Sequence, residues 1–110
     1  MISYIGKLAL ITGGTSGIGY ALANELVNAG CSVAILARHK EMLDSAVSTL
    51  SKSALSDQQR IIPIQADVVK RAELNQELDT FTATHGIPDL VINSAGVAHP
   101  GTFTALKPES

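Results

Sequence analysis

Residues 8–19 read Leu-Ala-Leu-Ile-Thr-Gly-Gly-Thr-Ser-Gly-Ile-Gly, an apolar run that enters a turn with few large side chains. An amphipathic segment, residues 20–29, follows directly. Such a strand–turn–helix unit aims backbone N–H groups and a helix dipole at one point, which suits a phosphate. We predict that Gly13 takes a left-handed backbone, that Gly17 gives a pyrophosphate room, and that Gly19 lets the helix pack closely. The alternative is a tight turn without a ligand.

Strand and helix patterns alternate along the rest of the chain. We predict strands at residues 7–12, 32–37, 60–66 and 90–93. Helical spacing of apolar residues follows the first strand, at Ile18, Ala21, Leu22, Leu26 and Ala29, and recurs within residues 42–50 and 69–85. This alternation predicts a parallel sheet with right-handed crossovers. Pro63 cannot donate to a sheet ladder, so the third strand is expected at an edge, in the strand order 3-2-1-4.

Two more motifs follow predicted strands, Asp67-Val68 after the third and Asn93-Ser94-Ala95-Gly96 after the fourth. With the Thr-Gly-x-x-x-Gly-x-Gly spacing of residues 12–19, they resemble the short-chain dehydrogenase/reductase family. Asp67-Val68 matches the family's adenine-contacting pair, and residues 12–19 match its cofactor loop. Asn93–Gly96 matches its Asn-Asn-Ala-Gly motif, with Ser94 for the second Asn. Within the family, the chain looks similar to 3-ketodihydrosphingosine reductases. The resemblance implies the N-terminal portion of an α/β, Rossmann-type doubly wound sheet.

The resemblance also implies a nicotinamide dinucleotide at the point where the strand order reverses. The residues it assigns to cofactor binding are Gly13, Thr15, Ser16, Gly17, Ile18, Gly19, Arg38, Asp67, Val68, Asn93, Ala95 and Gly96. Asp67 is expected to accept a bond from the adenine amino group, although spacing alone favours a helix N-cap. Asn93 is expected to tie adjacent strands together. Thr12 is expected to be structural, bonding the neighbouring backbone.

The end of the second strand reads Ala37-Arg38-His39-Lys40 and has no acid where NAD sites usually carry Asp or Glu. A guanidinium pairs bidentately with the 2′-phosphate of NADP, and His39 or Lys40 could assist Arg38. Cations are disfavoured at a helix N-terminus, which favours a bound anion over a solvated basic turn. We therefore expect NADP(H), with NAD the less favoured cofactor.

The family's catalytic Tyr-x-x-x-Lys does not occur in these 110 residues, because neither Tyr4 nor Tyr20 has Lys four positions later. We therefore expect one partial domain, residues 1–110, truncated before the catalytic segments and inactive by itself. Its parent would be an NADP(H)-dependent oxidoreductase of small carbonyl or alcohol substrates. The alternative is a non-catalytic NADP-binding sensor or scaffold. An unpaired side of the fourth strand predicts association, with a homo-oligomer as the expected state.

Composition excludes other classes of function. The net charge of −2 gives no basic face for nucleic acid. The single cysteine, Cys31, excludes an internal disulfide and is expected to be buried. No apolar run reaches membrane-spanning length, and we expect a cytoplasmic protein, leaving open an anchor in a longer parent chain. His85 and His99 have no metal-ligand partner at a suitable spacing, so we expect solvated histidines and no metal site.

Overall fold

The computed structural model describes residues 4–13 and 17–93, in which strands and helices alternate without exception. The strands are β1 (Leu8–Thr12), β2 (Ser32–Ala37), β3 (Ile61–Gln65) and β4 (Leu90–Asn93). The helices are α1 (Gly17–Asn28), α2 (Lys40–Ser51) and α3 (Arg71–His85). These bounds agree with the predicted strands to within a residue, and α3 begins two residues later than predicted.

The sheet is parallel throughout, with the order β3-β2-β1-β4 that the sequence predicts. Leu10 of β1 lies opposite Ala34 of β2 on one side and Val91 of β4 on the other. Pro63 stands on β3, an edge strand of the described sheet, and lies opposite Ile35 of β2. The proline therefore stands where its missing N–H costs no interior ladder bond, as predicted.

Both faces of the central strands are covered, which explains why β1 and β2 are continuous apolar runs. On one face, α1 and α2 pack on a buried cluster that includes Ile11 and Ile35. On the other face, Phe81 of α3 joins a second cluster that includes Leu10 and Leu36. Because both faces are occupied by helices, the ends of the strands are where this sheet offers polar groups to a ligand.

The residues that α1 buries are mostly not the apolar residues whose spacing predicts the helix. Ile18 is 63% exposed, and Ala21, Leu22 and Ala29 are also exposed. The residues that α1 buries are Gly19, Ala23, Leu26 and Val27. Small residues one turn apart let the helix axis approach the sheet closely, whereas a pattern built on hydrophobicity gives the larger Ile and Leu side chains more weight. The helix that this spacing predicts is confirmed, but Leu26 is the one residue of the five that it buries.

A polar side chain holds the connection between α2 and β3 in place. Gln59 Nε2 donates to the carbonyl oxygens of Val27 at 2.8 Å and Cys31 at 2.9 Å. Its Oε1 accepts from the backbone N–H groups of Leu55 at 2.6 Å and Ser56 at 3.2 Å. One glutamine therefore joins the loop of residues 52–60 to the end of α1 and the start of β2.

Two further side-chain predictions have different outcomes. Cys31 is buried as predicted, with Sγ 3.1 Å from the carbonyl oxygen of Ser32, and burial raises the pKa of its thiol, with a smaller contribution from the charge of Asp89. His85 ends α3 and is half-exposed, with Nδ1 3.0 Å from Nη1 of Arg60 and its ring centroid 5.5 Å from that of Phe81. His99 lies outside the described residues.

Neither a metal site nor a membrane span is found in the described part of the chain. Residues 4–13 and 17–93 contain no group of three or more His, Cys, Asp or Glu side chains placed to hold a metal ion. None of the helices in the same ranges has the length and apolar character needed to cross a bilayer.

Candidate cofactor site

A cleft of about 300 Å³ opens at the carboxyl ends of β1, β2 and β3. Its lining combines a glycine from the turn after β1 with the segments that follow the two neighbouring strands: Gly13, Leu36, Ala37, Arg38, His39, Ala66, Asp67, Val68 and Val69. The parallel order of the strands brings these segments to one edge, although they are far apart in sequence. Four of the predicted cofactor residues, Gly13, Arg38, Asp67 and Val68, thus line one cleft.

The turn after β1 has the backbone geometry that its glycines predict. Gly13 has a φ of 72°, in the left-handed region that side chains with a Cβ rarely adopt, and its N–H donates to the carbonyl oxygen of Leu36 at 2.7 Å. No described atom lies within 4 Å of the position that a Cβ on Gly17 would take. Gly19 is buried, and Ile18 is exposed in the first turn of α1. The predicted phosphate contacts of Thr15 and Ser16 lie outside the described residues.

The carboxyl ends of β1 and β4 are tied together by two side chains. Thr12 Oγ1 donates to Oδ1 of Asn93 at 2.7 Å. This bond gives Asn93 the strand-tying role predicted for it and makes Thr12 structural through a side-chain partner. The motif's other predicted contacts, Ala95 and Gly96, lie outside the described residues.

The basic run after β2 separates into groups with different surroundings. Arg38 has a side chain that is 64% exposed, and its Nη1 lies 3.9 Å from Oδ2 of Asp67. The Lys40 Nζ instead donates to Oδ2 of Asp44 at 2.9 Å, a hydrogen bond that raises the pKa of Lys40. His39 precedes α2 without a side-chain capping bond. Arg38 is therefore the permanently charged group of this run that lines the cleft.

Asp67 stands in a hydrogen-bonded turn before α3. Its Oδ1 accepts from the Val69 N–H at 3.1 Å, and its carbonyl oxygen accepts from the Lys70 N–H at 2.9 Å. The N-cap alternative was wrong, because α3 begins at Arg71 and Lys70 is its N-cap. The carboxylate thus holds the turn and faces the cleft instead of capping the helix.

Sequence reasoning missed Glu73, which supports this turn. Its Oε1 accepts from the backbone N–H of Asp67 at 3.0 Å, so an acid in the first turn of α3 reaches back to the chain before the helix. An acidic residue in the first turn of a helix is a known signal for a side chain that accepts from backbone N–H groups before the helix, and Glu73 was present in the sequence.

The sequence model of the family described as short chain dehydrogenase matches residues 7–110. The chain belongs to the short-chain dehydrogenase family. It is 35% identical over 102 residues to a PIGF/3-ketodihydrosphingosine reductase fusion protein of Schizosaccharomyces pombe, covering 93% of this chain and 20% of that relative. It is 31% identical over 97 residues to the short-chain dehydrogenase/reductase homolog YusS of Bacillus subtilis, covering 87% of this chain and 85% of the relative.

Solved structures of short-chain dehydrogenases have the same fold. L-sorbose reductase from Gluconobacter frateurii, complexed with NADPH and L-sorbose, superposes with a TM-score of 0.77 at 28% identity. The superposition covers 86% of this chain and 35% of that one. The predicted family and the predicted Rossmann-like sheet are therefore both confirmed, and this oxidoreductase family includes a structural neighbour that binds NADPH.

Proposed function

We propose that this short-chain dehydrogenase chain binds NADP(H), with the adenosine half of the cofactor in the cleft at the carboxyl ends of β1–β3. One observation carries the proposal. An exposed guanidinium, Arg38, and a half-buried carboxylate, Asp67, line the same cleft beside the left-handed Gly13. A cation for a 2′-phosphate and an acceptor for an amino group are the two polar groups that an adenosine 2′-phosphate requires.

Each part of the cofactor has assigned residues in this proposal. Arg38 pairs with the 2′-phosphate, which a planar guanidinium contacts through two N–H groups. Asp67 and Val68 contact the adenine. In the same proposal the pyrophosphate is framed by the glycine-rich turn, through Gly13, Thr15, Ser16, Gly17, Ile18 and Gly19. Ala95 and Gly96 would let the ribose and nicotinamide side lie against the backbone. Apolar side chains that line the cleft, among them Leu36 and Ala66, offer packing surface for the faces of an adenine ring.

We propose that the whole protein is an oxidoreductase that interconverts small carbonyl and alcohol compounds, and that this chain supplies its N-terminal cofactor-binding part. NADPH, when bound, supplies the hydride. The chain spans 20% of the S. pombe relative, and none of its 110 residues forms a Tyr-x-x-x-Lys. We therefore expect these residues to hold the cofactor without turning over a ketone. Similarity to the 3-ketodihydrosphingosine reductase fusion protein favours a ketone with an apolar chain as the parent's substrate.

The alternative is a non-catalytic NADP-binding module that acts as a sensor or scaffold. The match to 85% of YusS favours it, because that relative is covered almost completely. The two functions predict different coding sequences downstream of residue 110 in the source gene. A downstream Tyr-x-x-x-Lys in the same reading frame supports the enzyme, whereas a stop codon directly after residue 110 supports the module.

We also propose a cytoplasmic homo-oligomer that does not bind nucleic acid. Among the described residues, β4 pairs with β1 alone and carries the exposed Val91. An apolar edge of this kind favours association with a second copy. Light scattering after size exclusion tests this, and a monodisperse monomer at all protein concentrations would contradict it.

Titration calorimetry with NADP and NAD tests the cofactor proposal. We expect tighter binding of NADP, and we expect Arg38→Gln to remove most of that preference. Arg60→Gln is the matched control, because Arg60 is also an exposed arginine but stands before β3, at the opposite end of the sheet. Equal affinity of the unaltered chain for both nucleotides, or an unchanged preference in Arg38→Glu, would overturn the NADP assignment.

A further inference from the structure

We infer that Asp67 is a specificity-determining residue. It weakens the preference for NADP over NAD because its carboxylate competes with the 2′-phosphate for Arg38. This inference rests on the proposed cofactor function and goes beyond it. The adenine-contacting position and the phosphate-contacting position share one ion pair, because Nη1 of Arg38 lies 3.9 Å from Oδ2 of Asp67. The cation that would bind the phosphate therefore already has a fixed carboxylate beside it.

The two partners differ in how firmly they are held. The Asp67 side chain is 16% exposed, and its Oδ1 accepts from the Val69 N–H, so its charge stays in place when a ligand arrives. Arg38 is 64% exposed and lies beyond hydrogen-bond distance of Asp67. Such an exposed pair orients the arginine very little. Removing the carboxylate would therefore cost little ordering of Arg38 and would free its guanidinium from a competing anion.

The surroundings of Arg38 add to the negative potential. A second cleft, of about 360 Å³, adjoins the first and shares Arg38 and Asp67 with it. Its charged lining consists of two cations and three acids: Arg38, Lys70, Asp67, Glu73 and Glu77. A 2′-phosphate with nearly two negative charges would meet a guanidinium that already has a carboxylate beside it, at the border of a cleft with more acids than cations. The affinity that the 2′-phosphate contributes is therefore smaller than it would be at an arginine without acidic neighbours.

Fragments of the cofactor isolate the effect. The ratio of the dissociation constant of AMP to that of 2′,5′-ADP measures the contribution of the 2′-phosphate and cancels contacts to adenine. Asp67→Asn keeps an oxygen that accepts from the Val69 N–H and removes the charge. We expect this variant to raise the ratio about threefold to tenfold at low ionic strength, and less at high salt, since a unit charge acts across partly solvated space.

Two variants separate this role from a structural one. Glu77→Gln removes a charge from the second cleft without disturbing the ion pair, and we expect it to change the ratio less than about twofold. In an Arg38→Gln background, Asp67→Asn should have less than half of its effect, because the contested cation is gone. Circular dichroism and thermal unfolding establish that each variant is folded.

The outcomes are distinct for the two proposals. A ratio that falls or stays unchanged in folded Asp67→Asn overturns the role of Asp67, whereas a rise that persists in full without Arg38 overturns its action through the ion pair. If the unaltered chain binds neither nucleotide, or if Arg38→Gln leaves its ratio unchanged, the NADP proposal fails first and the inference fails with it.

Discussion

Replacing Gln59 by alanine tests whether one polar side chain stabilises the fold across three segments. The variant loses four hydrogen bonds, two donated by Nε2 and two accepted by Oε1. These bonds are not equal. The N–H groups of Leu55 and Ser56 lie at the exposed surface, where water replaces Oε1 at little net cost. The bonds to the carbonyl oxygens of Val27 and Cys31 are partly buried and carry most of the effect.

The magnitude depends on the bonds that each carbonyl keeps. The Val27 oxygen still accepts from the Gly30 N–H at 3.0 Å, so it loses about 1 kcal/mol of net bonding. The Cys31 oxygen belongs to a buried residue. Leaving it without this bond costs about 1–2 kcal/mol, part of its desolvation penalty. We therefore expect Gln59→Ala to lower the free energy of unfolding by about 2–3 kcal/mol. That corresponds to a fall in Tm of roughly 10–20 °C for a domain of this size.

Chemical denaturation monitored by circular dichroism measures the change, with two companion variants. Gln59→Glu keeps an acceptor for the exposed N–H groups of Leu55 and Ser56 but brings a carboxylate oxygen up to the two carbonyls, so we expect it to be at least as unstable as the alanine variant. Gln58→Ala is the control, because this neighbouring glutamine is exposed. A Gln59→Ala variant within about 0.5 kcal/mol of Gln58→Ala, the usual size of a neutral surface substitution, would refute a stabilising role for these contacts.

Other substitutions probe the site and the core. Thr12→Val should destabilise the chain by about 1 kcal/mol in urea titrations, because it removes the 2.7 Å bond to Asn93, whereas Thr12→Ser should retain most of the stability. Glu73→Ala should weaken binding of AMP roughly two- to fivefold by calorimetry, because the Asp67 N–H loses its acceptor, and Glu73→Gln, which keeps an acceptor for that N–H, should bind AMP as the unaltered chain does. The raised pKa of Cys31 means that the folded state keeps the thiol neutral while the unfolded chain ionises near its ordinary value of 9.0. Stability should therefore be complete below pH 9 and fall as the pH rises above it, and a Tm that declines equally steeply in Cys31→Ala would contradict this assignment.

The sequence was sufficient for the sheet but not for every contact that supports the site. The parallel sheet followed from apolar runs and their alternation with helical patterns, and Pro63 agreed with the proposed order β3-β2-β1-β4, which places β3 at an edge. The buried face of α1 did not follow, because Gly19 and Ala23 pack by being small and carry little hydrophobic signal. The bonds of Gln59 join it to Val27 and Cys31, 32 and 28 positions away, and a single sequence gives no sign of such pairs.

The site residues divide in the same way. Arg38 and Asp67 were each predicted from the end of its own strand, but their ion pair depends on how β2 and β3 align at the carboxyl edge. The residue expected to contact the phosphate and the residue expected to contact the adenine therefore form one ion pair in the folded chain. Glu73 was within reach of sequence reasoning through its place in the first turn of α3, whereas the pairing was not.

The carboxyl edge of the sheet is cross-linked by hydrogen bonds, and this bears on where we expect cofactor selectivity to lie. Each neighbouring pair of strands is bridged there. The Gly13 N–H donates to Leu36 across β1 and β2, the Ala66 N–H donates to Ala37 across β2 and β3, and Thr12 donates to Asn93 across β1 and β4. The base of the cleft therefore has little freedom to adjust to a ligand. The exposed Arg38 side chain has more. NADP and NAD differ only by the phosphate that such a side chain would contact, so we expect discrimination between them to depend on the charges around Arg38 rather than on the shape of the cleft.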